Sequence, residues 1–257
     1  MCVAALAWQA HPDWPLVVAG NRDEFHARPS APLAEWQDGS AIIAGRDLLG
    51  GGTWLGVSTQ GRMVLVTNYR VPEGSVPGRP SRGKLVTDLL QGRTSGSLPD
   101  SLAAMNPFNL VEVASGEARF LTNYPRIESR PLTPGIHGLS NGGFDLPWPK
   151  TVQVEQAVTQ WLAAGSGDPA PLLDSLVAET PAADLARAED GPEPRFAPVF
   201  IRDPNYGTRC STVIAVHHSG SGLIAERSFA PDGTVTGEVR IDFAWPNSPS
   251  FQAQTPV

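Results

Sequence analysis

The residues predict an α+β chain, or a layered α/β one, on two observations. Short apolar or alternating runs separated by Gly, Pro and Asn fill most of the first two-thirds. A helical stretch then gives way to a second group of alternating runs. In chain order, strands are expected at Cys2–Gln9, Leu16–Gly20, Thr53–Ser58 and Met63–Thr67. A helix is expected over Gly83–Leu90, where Leu85, Val86, Leu89 and Leu90 share one side at 3.6-residue spacing. Strands follow at Asn109–Ala114 and Arg119–Asn123, joined as a hairpin by Ser115-Gly116-Glu117. The clearest helix is Thr151–Ala164, with Pro149 as its entry signal and an apolar face containing Val154, Val158, Trp161 and Leu162. A second helical stretch at Pro171–Ala178 precedes an exposed loop, Glu179–Pro198, with one turn of helix at most. A meander of Thr208–His217, Gly222–Ser228 and Thr234–Phe243 ends the chain. No internal repeat or dividing linker appears, so a single domain over residues 1–257 is expected.

Composition excludes several function classes. The 257 residues are 41% hydrophobic and 18% charged, enough for a sizeable core. The net charge is −7, and of the nineteen basic residues only Lys84 and Lys150 are lysine, so no basic stripe for a nucleic-acid backbone is expected. Cys2 and Cys210 are too few for a disulfide framework or a cysteine zinc site. The five histidines show no metal-ligand spacing, and His217-His218 reads as a strand end near the surface. No metal and no cofactor are expected. The early residues do not resemble a secretory signal, and no apolar run reaches the length of a membrane span. The expectation is a soluble, cytoplasmic protein that is not transmembrane.

Cys2 carries the chemistry. Trimming of Met1 leaves a thiol and a free α-amine on one residue, and such an amine, with a pKa of roughly 7.7–8.0, acts as general base near neutral pH. The alternative is an ordinary buried cysteine in a first strand. Further polar groups stand at strand ends. In Asn21-Arg22-Asp23-Glu24, an extended backbone sends Asn21 and Asp23 one way and Arg22 and Glu24 the other. Asp23 then orients the Cys2 amine while Arg22 makes a structural ion pair; the alternative is a solvated charged turn. Asn68, in Thr67-Asn68-Tyr69, and Asn141, in Leu139-Ser140-Asn141, offer uncharged donors for a developing oxyanion, although turn chemistry also explains them. In Thr208-Arg209-Cys210-Ser211-Thr212, alternation puts Arg209 and Ser211 on one face and Cys210 and Thr212 on the other. An Arg209 facing Cys2 favours its thiolate and turns Cys210 away, which disfavours a Cys2–Cys210 disulfide. The run Leu49–Gly56 lacks the lysine of a P-loop and reads as a tight backbone approach, with Trp54 lining or closing a pocket.

Together these blocks resemble the NRDE-motif family, also called the Transport and Golgi organization protein family. The resemblance rests on Cys2, Asn21-Arg22-Asp23-Glu24-Phe25 with Arg28-Pro29, Gly51-Gly52-Thr53-Trp54-Leu55-Gly56, Thr67-Asn68-Tyr69, Ser81-Arg82-Gly83, Phe108-Asn109-Leu110, Gly138-Leu139-Ser140-Asn141 and Tyr206-Gly207-Thr208-Arg209. It covers nearly the whole chain and is weakest across Ala164–Phe200. It implies an N-terminal nucleophile (Ntn) hydrolase-like fold, a four-layer αββα sandwich of two mainly antiparallel sheets, similar to the penicillin and bile-salt acylases. By that analogy Cys2 is nucleophile and base, Asp23 holds the amine, Asn68 and Asn141 serve the oxyanion, and Arg209 tunes the thiol or binds substrate. Asn21, Arg22, Trp54 and Tyr69 are expected to bind substrate. Those acylases commonly carry an arginine a few residues ahead of the aspartate, where this chain has Gly20 and Asn21, and Arg22 adjoins Asp23 directly. The expected activity is hydrolysis of a non-peptide C–N bond in a small acylated amide. The alternative is a non-catalytic carrier of haem or an acylated lipid on the same fold.

Overall fold

The computed structural model describes residues 2–93, 98–180 and 193–246. Met1, and residues 181–192 of the loop expected over Glu179–Pro198, lie outside them. The strands are β1 (Val3–Trp8), β2 (Leu16–Phe25), β3 (Ser30–Glu35), β4 (Ile42–Asp47), β5 (Leu55–Ser58), β6 (Arg62–Asn68), β7 (Phe108–Ala114), β8 (Glu117–Thr122), β9 (Glu128–Pro131), β10 (Gly135–Leu139), β11 (Tyr206–Val216), β12 (Ser221–Phe229) and β13 (Val235–Ala244). The helices are α1 (Arg82–Leu90), α2 (Leu98–Ala103), α3 (Pro149–Ala164) and α4 (Ala170–Ser175), with a 3-10 turn at Pro194–Phe196. The chain divides into two units, each assembled from separated stretches. One is Met1–Ala27 with Pro134–Phe243, and the other is Arg28–Thr133 with Ala244–Val257.

The first unit is built on a six-stranded sheet in the order β10-β1-β2-β11-β12-β13. Pairings from β10 through β12 are antiparallel. Its core follows from alternation: Val3, Ala5, Ala7, Val17, Ala19, Val213 and Ala215 project to one face and meet Val154, Val158, Trp161 and Leu162 of α3 and Leu172 and Leu173 of α4. Truncating Leu172 to alanine there costs about 2–5 kcal/mol. Pro at the first turn starts α3, and Gly165 in the left-handed conformation (φ 63°) ends it. Gly138 on β10 is a contact point for α3, because a Cβ there would overlap Thr151 and Glu155. The start of α3 is thereby seated against the strand beside β1.

The second unit is a seven-stranded antiparallel sheet in chain order from β3 to β9. Helix α1 contacts β4, β5 and β6 and buries Leu85, Val86, Leu89 and Leu90, the face read from its periodicity. Ser81 caps it by accepting from the Lys84 N–H. The glycine-rich run is the tight approach expected of it, since a Cβ at Gly52 would overlap the Gly83 backbone.

Several strands were not legible. β3 and β9 are edge strands, and β3 buries only Leu33, so neither carries an alternating apolar signal. β10 is hidden by its glycines and β4 by the polar end Arg46-Asp47. β2 runs on through Asn21–Phe25, beyond its expected end at Gly20.

Candidate active site

The first unit gathers Cys2, Asn21, Arg22, Asp23, Asn141 and Arg209 around the start of β1. Antiparallel pairing sets Val3 opposite Asn21, so Cys2 comes opposite Arg22 at the carboxyl-terminal end of β2. On the other side of β1, Ala4 pairs with Leu139, which brings Ser140 and Asn141 beside the same strand start. The Ser140 hydroxyl donates to the Cys2 carbonyl at 2.7 Å. Asn141 is buried.

Cys2 is 8% exposed. Burial pushes its thiol up, and the Asp23 carboxylate adds to that rise. The Asp23 backbone N–H, hydrogen-bonded to the sulfur, and the Arg22 charge act in the opposite direction. Arg22 is itself buried and lies 3.8 Å from Glu24, two residues along the same face as alternation requires. Its Nη1 is buried and makes no hydrogen bond among the described residues.

Asp23 is held on several sides. Its Oδ1 accepts from the Thr208 hydroxyl at 2.7 Å and its carbonyl from the Tyr206 hydroxyl at 2.9 Å. Burial raises its carboxyl above the ordinary range. Lys150, Thr208 and Arg22 pull it back. Lys150, which sequence reasoning passed over, is fully buried in the first turn of α3. A cation is disfavoured at a helix amino terminus and costly when buried, so this lysine requires nearby negative charge. Its charge acts on Asp23. The signal available was a lone lysine in an arginine-rich chain, directly after the Pro that opens a helix.

Hydrogen bonding and register place two of the expected site residues, Asn21 and Arg209. Asn21 is 0% exposed; its amide donates to the carbonyls of Leu176 (2.8 Å) and Val199 (2.9 Å), and its oxygen accepts from Ser211 (2.7 Å). It braces β2 to the helical side of the unit. In β11 the register shifts between Thr208, opposite Asp23, and Cys210, opposite Arg22. Arg209 is the extra residue of this bulge and leaves the alternation. Its guanidinium donates to the Phe25 (3.0 Å) and His26 (3.3 Å) carbonyls, anchoring the end of β2. The arginine that acts on the Cys2 thiol is therefore Arg22. Alternation from Arg209 implied that Cys210 looks away from the Cys2 site; instead Cys210, like Cys2, comes opposite Arg22, and it feels Glu226, Arg22 and Thr212. Both cysteines are free. The strand carrying Arg22 lies between them, which sets them roughly 9–10 Å apart by sheet spacing, too far to bridge.

Asn68, Trp54 and Tyr69 belong to the second unit. Asn68 ends β6, exposed and opposite Phe108. The Tyr69 N–H donates to the Pro107 carbonyl at 2.9 Å, and its ring lies 4.7 Å from that of Tyr124. Trp54 is buried, its carbonyl accepting from the Val66 N–H at 2.8 Å. Among the described residues no helix is long and apolar enough to cross a membrane.

Two solved structures share this architecture. The Caenorhabditis elegans N-acylethanolamine-hydrolyzing acid amidase ortholog aligns with a TM-score of 0.51 at 12% identity, over 83% of this chain and 92% of that one. The C2A mutant of conjugated bile acid hydrolase from Clostridium perfringens aligns with a TM-score of 0.52 at 8% identity, over 94% and 92%. The likeness defines the class: an Ntn-hydrolase-like α+β fold of two antiparallel sheets. The family is narrower. Transport and Golgi organisation 2 matches residues 1–231. The human Transport and Golgi organization protein 2 homolog is 33% identical over 262 residues, 89% of this chain and 93% of that protein, and the bovine homolog is 32% identical over 266 residues, 89% and 93%. The chain belongs to the Transport and Golgi organisation 2 family.

Proposed function

We propose that this protein is an N-terminal cysteine amidohydrolase that cleaves a non-peptide C–N bond in a small acylated amide. The observation that carries the reading is the setting of Cys2: second in the chain, buried at a strand start, with the Asp23 N–H on its sulfur, the Arg22 charge beside it and its carbonyl fixed by Ser140. Removal of Met1 makes the amine part of the same residue. That amine takes the thiol proton, and the sulfur attacks the amide carbon. The oxyanion is met by donors contributed by Asn141 and, by family analogy, Asn68. The amine leaving group departs with the proton, leaving a thioester. Water, deprotonated by the α-amine, then releases the acid and restores the thiol. Asp23, steadied by Thr208 and Lys150, orients the amine, and Arg22 offers Nη1 to the thiolate or to an anionic part of the substrate. Arg209 positions the end of β2, while Trp54 and Tyr69 are assigned to substrate contact by family analogy. Two fold neighbours named as an N-acylethanolamine-hydrolyzing acid amidase ortholog and a conjugated bile acid hydrolase, the latter solved with its second residue changed to alanine, support the same reading.

The test is intact mass of the purified protein before and after a thiol-directed electrophile, with peptide mapping, followed by a screen of acyl amides. Loss of Met1, fast labelling of Cys2 and turnover abolished in Cys2→Ala are the expected results. A retained Met1, or turnover unchanged in Cys2→Ala, overturns the mechanism. Saturable binding of haem or an acyl-lipid that is recovered unchanged replaces it with the carrier reading.

A further inference from the structure

A second cluster of chemically competent side chains lies at the other end of the same sheet. Asp13, in the turn joining β1 to β2, meets His217 and His218, in the turn joining β11 to β12. One ligand-capable atom from each lies within 4.8 Å of the others. The pairing of β2 with β11, which sets Leu16 opposite Val216, brings these turns together, and the His218 N–H donates to the Asp13 carbonyl at 2.9 Å. Cys2 stands at the opposite end of β1, roughly 20 Å away at about 3.3 Å per residue. The chemistry proposed for Cys2 makes no use of these residues.

The donors are arranged rather than merely adjacent. His217 Nδ1 lies 2.8 Å from the Ser219 hydroxyl and accepts from the Ser219 N–H at 3.2 Å, so two contacts from Ser219 hold the orientation of the ring within the turn. The His217 ring packs edge-on against Trp14 at 5.1 Å, and Trp14 packs in turn against Trp161 of α3. His218 Nε2 lies 3.8 Å from Asp13 Oδ1, and the two imidazole centroids are 4.2 Å apart. Asp13 and His218 are exposed and His217 is half-buried, so ion and water have direct access. Two imidazoles and one carboxylate suit a borderline divalent ion such as Zn2+, Co2+, Ni2+ or Cu2+, whereas Mg2+ and Ca2+ prefer all-oxygen shells.

We propose that Asp13, His217 and His218 form a divalent transition-metal site that ties the β1–β2 turn to the β11–β12 turn, with water completing the coordination. The chain supplies these ligands from opposite ends of its sequence, so no local spacing announces them.

The test uses full-length, tag-free protein stripped with a chelator and titrated with Zn2+ by calorimetry and with Co2+ by absorption. The expected result is one equivalent bound, with Co2+ bands of nitrogen and oxygen ligation and no intense thiolate-to-metal charge-transfer band. The double variant His217→Ala/His218→Ala should lose that equivalent while keeping the wild-type circular dichroism spectrum. Ser219→Ala, which removes the hydroxyl beside Nδ1 and leaves the Ser219 N–H in place, should weaken it by about 10-fold. Zn2+ should raise the Tm of the wild type and leave that of the double variant unchanged. Absence of binding, an equal affinity in the double variant, or a charge-transfer band that disappears in Cys2→Ala overturns the proposal.

Discussion

Cys2 and Cys210 are both buried and both free, and both stand beside Arg22 on the strands flanking β2. Burial raises both thiols and Arg22 opposes the rise at each. The difference lies in the remaining neighbours. At Cys210 the Glu226 carboxylate adds like charge and a hydrogen bond that favours the protonated form, and the thiol is pushed well above its ordinary range. At Cys2 a backbone N–H, that of Asp23, favours the thiolate, while the Asp23 carboxylate disfavours it without a hydrogen bond to the sulfur among the causes of the shift. Burial, an arginine and a carboxylate thus act alike on the two thiols; they differ in that Cys210 is hydrogen-bonded to its carboxylate and Cys2 to a backbone N–H. Similar logic separates Asp23 from Glu112 in the second unit, a buried carboxylate held by Arg119 at 2.6 Å and Arg62 at 3.5 Å with no thiol among those partners.

The strongest way to break the comparison is to remove each thiol. Cys2→Ala is expected to lower amide turnover by at least about a thousand-fold, whereas Cys210→Ala should retain it, as measured by steady-state kinetics on any amide found by screening. Asp23→Asn should cost turnover by about 10²–10⁴-fold, the range for a misplaced general base, with Cys2 labelling still detectable by mass. Lys150→Met leaves the Asp23 carboxylate without its buried counter-charge; a loss of about 3–5 kcal/mol in chemical denaturation is expected.

Two smaller effects sharpen the contrast. Glu226→Gln should speed labelling of Cys210 by an electrophile at alkaline pH and leave the Cys2 rate unchanged, because it removes the charge that disfavours only the former thiolate. The raised Asp23 carboxyl also predicts a pH signature. Its folded-state proton is held more tightly than in the unfolded chain, so its contribution to stability is fully present below the ordinary carboxylate pKa of about 4 and is lost as pH climbs through the raised value. The difference in stability between wild type and Asp23→Asn, measured by denaturation from pH 3 to pH 8 in about one-unit steps, should shift toward the variant across that window. A flat difference would remove burial as the dominant influence on Asp23.

Much of the fold could be read because its signal is local. Alternating runs marked β1, β5 to β8 and β11 to β13, and helical periodicity marked α1 and α3 within a residue or two of their ends. Strands at sheet edges, or rich in glycine, escaped because they bury too little of one face to leave a pattern. At the candidate site, Cys2 and Asp23 stood out by position and residue type. Asn21 stood out equally but proved to be a brace, since an asparagine that serves backbone carbonyls looks the same in sequence as one that serves a ligand.

Residue order alone determined the second-position cysteine, the polar strand ends, the family and the alternating cores, because each depends on neighbours along the chain. Tertiary structure alone decided that a bulge takes Arg209 out of register and that the pairing of β1 with β2 sets Arg22 beside Cys2. It also decided that Lys150 acts on Asp23 and that Asp13 meets a histidine pair. Those arrangements follow from strand register and from the helix seated against Gly138, which arise only when distant segments pair and exclude water together. Backbone alternation fixes a side chain's direction within one strand, but charges and donors act through space on whatever the pairing brings near.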